Sequence, residues 1–104
     1  MITVERVVAL APVADDLGFG KDFYNQIESG VGDYFWDSLM ADIRSLKIYA
    51  GVHVKEQGLY RMPAKRFPYQ LYYIIDNHTV YIVAVLPMRK DPLWVKEILA
   101  ARQP

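Results

Sequence analysis

The strongest hydrophobic pattern lies in the C-terminal half, where two long apolar segments predict adjacent strands. Residues 67–75 alternate, which places Phe67, Tyr69, Leu71, Tyr73 and Ile75 on one face and Gln70, Tyr72 and Ile74 on the other. Residues 80–86 are apolar throughout, which is typical of a central strand buried on both faces. The intervening segment 76–79 predicts a hairpin turn, because its asparagine and histidine tolerate left-handed backbone.

Two helices are predicted upstream of these strands. Pro12 suits the first turn of a helix that ends near Gly30, and its apolar positions recur at helical spacing at Val13, Leu17, Tyr24 and Ile27. Residues 31–47 predict a second helix, whose buried stripe is Phe35, Leu39, Ile43 and Leu46. Because the connection is very short, the two helices should form an antiparallel hairpin.

The remaining segments complete an α+β fold. Residues 2–10 and 59–64 predict strands, 49–58 a loop or irregular strand, and 92–101 a final helix that turns Val95, Ile98 and Leu99 toward the body. The order is therefore β-α-α-β-β-β-α in a single domain over residues 1–104. We expect an antiparallel twisted sheet covered by a helical hairpin, with a short C-terminal helix.

The composition limits which kinds of chemical site the chain can form. The chain has 104 residues, 53% hydrophobic and none cysteine, which excludes disulfides and thiolate metal sites. His53 and His78 lack partners at metal-ligand spacing, and no glycine-rich phosphate loop occurs, so no cofactor or metal is predicted. Asp15 and Asp16 are adjacent on a helix, point in different directions and are interpreted as an acidic first turn.

The N-terminus resembles neither a signal peptide nor a membrane span, which favours a soluble cytoplasmic protein.

Charge is distributed unevenly although the formal net charge is zero. Residues 1–47 hold eight acidic and four basic residues, and residues 48–104 hold the reverse. The basic residues near the strand ends, with a neighbouring tryptophan, form a candidate target-binding set: Arg61, Lys65, Arg66, Arg89, Lys90 and Trp94. They indicate a cationic edge that binds a macromolecule, or a solvated edge guarded by charge against aggregation. Overall neutrality argues against strong non-specific nucleic-acid binding.

Several segments together resemble the RelE/ParE toxin superfamily of type II toxin–antitoxin modules, which includes plasmid-stabilisation proteins. The resemblance spans nearly the whole chain and is most specific between Tyr60 and Trp94. Its strongest marks are the segments Phe67-Pro68-Tyr69-Gln70-Leu71-Tyr72-Tyr73 and Val80–Leu86 followed by Arg89-Lys90-Asp91-Pro92. The predicted element order also agrees with that fold.

The resemblance is closer to the ParE-like branch, which implies a toxin that binds a macromolecular target such as DNA gyrase. RelE-like members, by contrast, cleave mRNA on the ribosome. Gln70 stands where such members have an arginine, Arg89 matches a second arginine, and Trp94 stands near their tyrosine. These departures favour a non-enzymatic role. The nuclease alternative would use Arg61, Lys65 and Arg89 to stabilise negative charge on phosphate.

The resemblance further implies a cognate antitoxin as partner. Phe35, Leu39 and Tyr72 are the predicted antitoxin-binding residues, in a groove between the helical hairpin and the sheet. The target is left open between gyrase and the ribosome, and homo-oligomers are also left open. A third alternative is a non-toxic binding module of the same fold.

Overall fold

Two antiparallel helices cover one face of a five-stranded sheet, and a third helix closes the chain. The computed structural model describes residues 3–102. Along the chain the elements are β1 (Arg6–Ala9), α1 (Ala11–Ile27), α2 (Val31–Tyr49), β2 (Val54–Glu56), β3 (Leu59–Pro63), β4 (Tyr69–Asp76), β5 (Thr79–Pro87) and α3 (Pro92–Arg102). The predicted α+β class and element order are confirmed. The segment predicted as loop or irregular strand contributes the three-residue strand β2.

The sheet has the order β1-β5-β4-β3-β2 and is mixed rather than wholly antiparallel. Strands β2 to β5 pair antiparallel as predicted, whereas β1 joins the opposite edge parallel to β5. The helical hairpin that follows β1 carries the chain over the sheet, and this crossover permits the parallel pairing. β1 is also shorter than the predicted strand 2–10, and residue 2 lies outside the described residues.

The turn between β4 and β5 has the predicted geometry. Asn77 has φ 50° and His78 has φ 66°, so both central residues adopt left-handed backbone. Two successive positive φ values characterise the type I′ hairpin turn, whose twist matches that of its flanking strands. The turn therefore sets the register in which Asp76 lies opposite Thr79.

The core lies between the helical hairpin and the inner face of the sheet. The predicted stripe of α2 is confirmed, since its four members are buried, as are the alternating residues of β4 from Tyr69 to Tyr73. In α1, Val13 and Leu17 are buried as predicted. Ile27 was predicted on the same face but is 66% exposed, so that prediction is wrong. The largest fully buried side chains are Tyr73, Phe35, Leu39, Leu46, Leu71 and Ile82.

Glycines allow α1 and α2 to approach closely. A methyl group at Gly20 would overlap the Phe35 ring and lie 3.2 Å from the Tyr69 hydroxyl oxygen. A methyl group at Gly32 would overlap the backbone carbonyl of Lys21. The packing of the hairpin therefore requires a glycine at position 20.

α3 lies against β5 and contributes no buried residue. The three predicted contact residues, Val95, Ile98 and Leu99, are half-buried. Leu99 shares a depression with Leu59 of β3, so the helix reaches the face of the sheet opposite the hairpin. Within residues 3–102, no helix is long and apolar enough to span a membrane.

We expect Gly20→Ala to lower the free energy of unfolding by about 1–3 kcal/mol, because the added methyl group overpacks a core that has no room for it. The matched control is Gly18→Ala, since a methyl group at Gly18 meets no atom within 4 Å. That control should raise the free energy of unfolding by about 0.5–1 kcal/mol through the better helix propensity of alanine. Urea unfolding measures both, and equal effects would contradict the close approach at position 20.

Candidate functional site

The first residue of β4 and the last residue of β5 lie side by side, so the two basic pairs come to the same end of the sheet, as the sequence predicts. Tyr69 lies opposite Pro87, and the backbone N–H of Met88 donates to the carbonyl oxygen of Pro68 at 2.9 Å. The segment 65–66 therefore leads into this end of the sheet, and 89–90 leads out of it. This end lies away from the Asn77 turn.

The basic side chains nevertheless line three separate depressions. Arg89 and Lys90 border an aromatic groove beside α1, and Lys90 together with Arg61 borders a groove on the outer face of the sheet. Lys65 lines a third depression against α2, together with Asp42 and other residues. The predicted target-binding set is thus divided, with Lys90 shared by the first two grooves.

The aromatic groove has a volume of about 460 Å³ and consists of apolar side chains and two cations. Phe19 and Phe23 of α1 form one wall and are 74% and 56% exposed. Its lining residues are Phe19, Phe23, Tyr24, Pro68, Tyr69, Pro87, Arg89 and Lys90. Neither Phe19 nor Phe23 was predicted as a site residue. Their spacing of four residues was the available signal, but periodicity alone does not show which stripe faces solvent.

The outer groove lies between the sheet and α3 and has a volume of about 350 Å³. Arg61 forms an ion pair with Glu56 at 3.3 Å, so part of its charge is already compensated. Within residues 3–102, the buried Oε1 atom of Gln70 has no hydrogen-bond partner. Burial raises the pKa of Tyr72, partly offset by nearby Arg61, so this tyrosine stays protonated and neutral at pH 7. The groove is polar and cationic, and Tyr72 does not supply it with an ionised base at neutral pH.

Trp94 contacts Lys90, a neighbouring member of the basic set. The Nζ atom of Lys90 lies 5.5 Å from the centroid of the Trp94 ring, and the tryptophan is 37% exposed. A cation over an aromatic face is attracted by the ring quadrupole, so Lys90 and Trp94 form one unit at the start of α3.

Lys65 is held near α2 by its backbone. Its N–H donates to the Oδ2 atom of the buried Asp42 at 3.2 Å. Burial raises the pKa of Asp42, and the hydrogen bond from Lys65 opposes that effect. The loop that carries Lys65 and Arg66 is therefore fastened to the helical layer, apart from the aromatic groove.

The predicted antitoxin-binding residues need correction. Phe35 and Leu39 have no exposed surface, because the helical hairpin closes completely onto the sheet. No partner can contact these side chains without separating the two layers. Tyr72 is half-buried and lines the outer groove, on the face of the sheet opposite the hairpin, so its predicted position between hairpin and sheet is wrong although part of its side chain is exposed.

The interpretation of Asp16 as part of an acidic first turn is also wrong. Asp16 is 8% exposed, and its two oxygens accept hydrogen bonds from the Arg102 guanidinium at 2.6 and 2.8 Å. The backbone N–H of Val85 donates to the same carboxylate at 2.9 Å. The hydrogen bonds that Arg102 donates to Asp16 raise the pKa of the guanidinium above its usual value. The carboxylate therefore fastens α3, and with it Trp94, to α1 and β5.

His53 is fastened to a buried tyrosine. The Tyr73 hydroxyl accepts the backbone N–H of Gly51 at 2.9 Å and lies 2.5 Å from the Nδ1 atom of His53. The hydroxyl has one hydrogen to donate and a second lone pair with which to accept, so it can pair with either tautomer of the His53 ring. Burial lowers the pKa of His53. Across residues 3–102, no three His, Asp or Glu side chains are grouped so as to hold a metal ion.

Comparison with known proteins identifies the fold. No protein-family model matches the sequence. No curated protein matches it either. Among solved structures, the chain is similar to a chain of the chromosomal ParDE TA system from P. aeruginosa, with a TM-score of 0.75 and 13% sequence identity. The superposition covers 86% of this chain and 100% of that chain. At this identity the likeness concerns the fold, and it confirms the fold implied by the RelE/ParE resemblance.

We expect the stability of the protein to fall as the pH drops through about 6.5, the usual pKa of an unfolded histidine. The folded pKa of His53 is lowered, so the unfolded chain binds the proton more readily, and acidification favours unfolding. Urea unfolding midpoints between pH 5 and 8 measure this, and His53→Gln should flatten the curve. The control is His78→Asn at the exposed turn. If both variants keep the wild-type slope, the pH dependence of stability does not come from His53.

Proposed function

We propose that this chain is the toxin component of a type II toxin–antitoxin module and is held inactive by a cognate antitoxin. The observation that carries the proposal is the fold match, which extends over the full length of a chain from the ParDE TA system. Because a fold hosts many functions, the proposal also depends on the surface described above.

The surface supports a macromolecular target. Arg89, Lys90 and Trp94 are exposed at one end of the sheet, next to the wall formed by Phe19. Exposed aromatic and arginine side chains are enriched at the energetic centres of protein interfaces. A net charge of zero is better suited to a protein target than to nucleic acid, whose binding requires many phosphate contacts. We therefore propose a ParE-like action on a protein target such as DNA gyrase, without catalysis.

The predicted target-binding residues differ in how well their positions support a role in binding the target. Arg89, Lys90 and Trp94 are adjacent and form the proposed centre, with Arg61 reached through the outer groove that Lys90 shares. Lys65 and Arg66 lie on the loop fastened to α2, and we propose a peripheral contribution from them.

The outer groove favours a second candidate, an mRNA endonuclease of the RelE type. The three cations predicted for it, Arg61, Lys65 and Arg89, line three different depressions. Arg61 shares the outer groove with Lys90 and Lys96, and these would stabilise the charge on a phosphate. The unpartnered amide oxygen of Gln70 lies among them. The ion pair between Arg61 and Glu56 and the neutral Tyr72 weigh against it. A non-toxic binding module with the same partner is the third candidate.

We expect induced expression to arrest bacterial growth and the purified protein to inhibit DNA supercoiling by gyrase, without cleavage of mRNA. Arg89→Ala should weaken the inhibition at least about tenfold, because it removes a cation at the proposed interface centre. The control is Arg44→Ala, which removes an exposed arginine from α2. Supercoiling assays and primer extension on translated mRNA measure the two activities.

The other outcomes separate the candidates. Cleavage of mRNA that is lost in Arg61→Ala would replace the proposal with the endonuclease. Binding of the small protein encoded next to this gene, without any growth arrest, would indicate the non-toxic module. Absence of both binding and arrest would overturn a toxin–antitoxin role altogether.

A further inference from the structure

A second apolar stripe on α1 has no partner within the part of the chain that the structure describes. Phe19, Phe23 and Ile27 are 74%, 56% and 66% exposed and follow one another at intervals of four residues. Residues at this spacing share one face of a helix. Since a fully exposed aromatic side chain presents about 150–250 Å² of surface, the three leave on the order of 400 Å² uncovered. An apolar patch of this size is typical of an interaction surface.

One flank of the stripe is basic. The aromatic groove lies on this flank, where Tyr24 lines it and Arg89 and Lys90 border it. None of the residues that line the groove is acidic, and within residues 3–102 neither cation forms an ion pair. A molecule that covers the stripe therefore needs negative charge on this side.

The other flank of the stripe is acidic. Successive residues of a helix are rotated by about 100°, so Asp15 and Asp22 lie roughly 40–60° to one side of Phe19. Tyr24, which lines the groove, lies to the other side. Both carboxylates are exposed, and neither forms an ion pair among the described residues 3–102. α1 itself thus carries the apolar and acidic groups that the groove requires.

The two flanks are complementary under twofold symmetry when the paired helices are parallel. A twofold axis that runs along the stripe keeps two α1 helices parallel and exchanges their flanks, so each acidic flank meets the basic flank of the other copy. A twofold axis across the helices makes them antiparallel and brings like flanks together, which like-charge repulsion opposes. Because the parallel contact is formed twice, one pattern of charges satisfies both copies.

We propose that two copies of this chain associate through the apolar stripe of α1 as a parallel, twofold-symmetric dimer. Phe23 packs against Phe23 of the partner subunit, and Arg89 pairs with Asp22 of the partner subunit. The stripe supplies about half of the roughly 800 Å² that each partner covers in a standard interface, so the dimer should be weak, with a Kd on the order of 10 μM. Both sides of the contact belong to this chain, so the inference does not depend on the proposed function.

Sedimentation velocity of the purified full chain, at concentrations from about 1 to about 300 μM, measures the Kd of self-association. We expect Phe23→Gln to raise Kd at least about 30-fold, because it removes an aromatic side chain from the centre of the interface. The matched control is Ile48→Gln, which removes a side chain that is 77% exposed at the end of α2. It should leave Kd within about twofold of the wild-type value, since surface positions outside an interface contribute little.

An exchange of charges tests the pairing of the flanks. Asp22→Lys and Arg89→Glu should each raise Kd about tenfold, and less so at high salt, because each places like charges opposite one another. The double variant restores opposite charges in reversed order and should return Kd to within about threefold of the wild-type value. Arg44→Glu, which reverses an exposed charge on α2, is the control and should leave Kd unchanged. Unchanged melting temperatures verify that the variants fold.

Loss of the dimer in Phe23→Gln together with its recovery in the double variant supports the proposal. A monomer at every concentration overturns it and leaves the stripe to a different protein. A dimer that Phe23→Gln leaves intact forms through another surface, which also overturns it. If the stripe is required but the double variant associates no more tightly than the single variants, the parallel arrangement is wrong.

Discussion

The buried carboxylate of Asp16 joins three elements that meet at the same end of the molecule. It lies on α1, accepts the N–H of Val85 on β5, and receives both hydrogen bonds of a fork from Arg102 on α3. A carboxylate removed from water is stable only when it is paired and hydrogen-bonded, and Asp16 has an ion-pair partner and accepts three hydrogen bonds. Because α3 has no buried residue of its own, its position depends on this pair.

The pair also completes the sheet. β1 pairs with β5 only from Thr79 to Ile82, and the register of β4 against β5 shifts at Val83. Past that point, the β5 groups on the side of β1 need other partners. Asp16 binds the N–H of Val85 and Arg102 binds the carbonyl oxygen of Val83, so one ion pair replaces the missing strand. The same pair holds α3, which carries Trp94, beside the end of β5 that leads to Arg89 and Lys90.

The sequence predicts those parts of the fold that depend on local pattern. Alternation in 67–75, continuous apolar residues in 80–86 and the Asn77-His78 turn specify the central hairpin, because each is a property of neighbouring residues. The Asp16–Arg102 pair escaped prediction, since 86 positions separate the two residues and neither stands in a motif.

The candidate site was predicted only in part for the same reason. The strand ends place residues 65–66 and 89–90 at one edge, but which groove each side chain lines depends on how α1 and α3 pack. α1 carries two apolar stripes, and the sequence cannot show that Leu17 faces the core while Phe19 faces solvent. Phe35 and Leu39 were assigned to a groove that the close approach at Gly20 eliminates.

A double-mutant cycle on Asp16→Ala and Arg102→Met, followed by urea unfolding, tests the central claim most directly. The account predicts that the two substitutions together cost less than the sum of their separate costs, with a coupling free energy of at least about 1.5 kcal/mol. Effects that add within about 0.5 kcal/mol would show that the two side chains act independently, and would contradict the account.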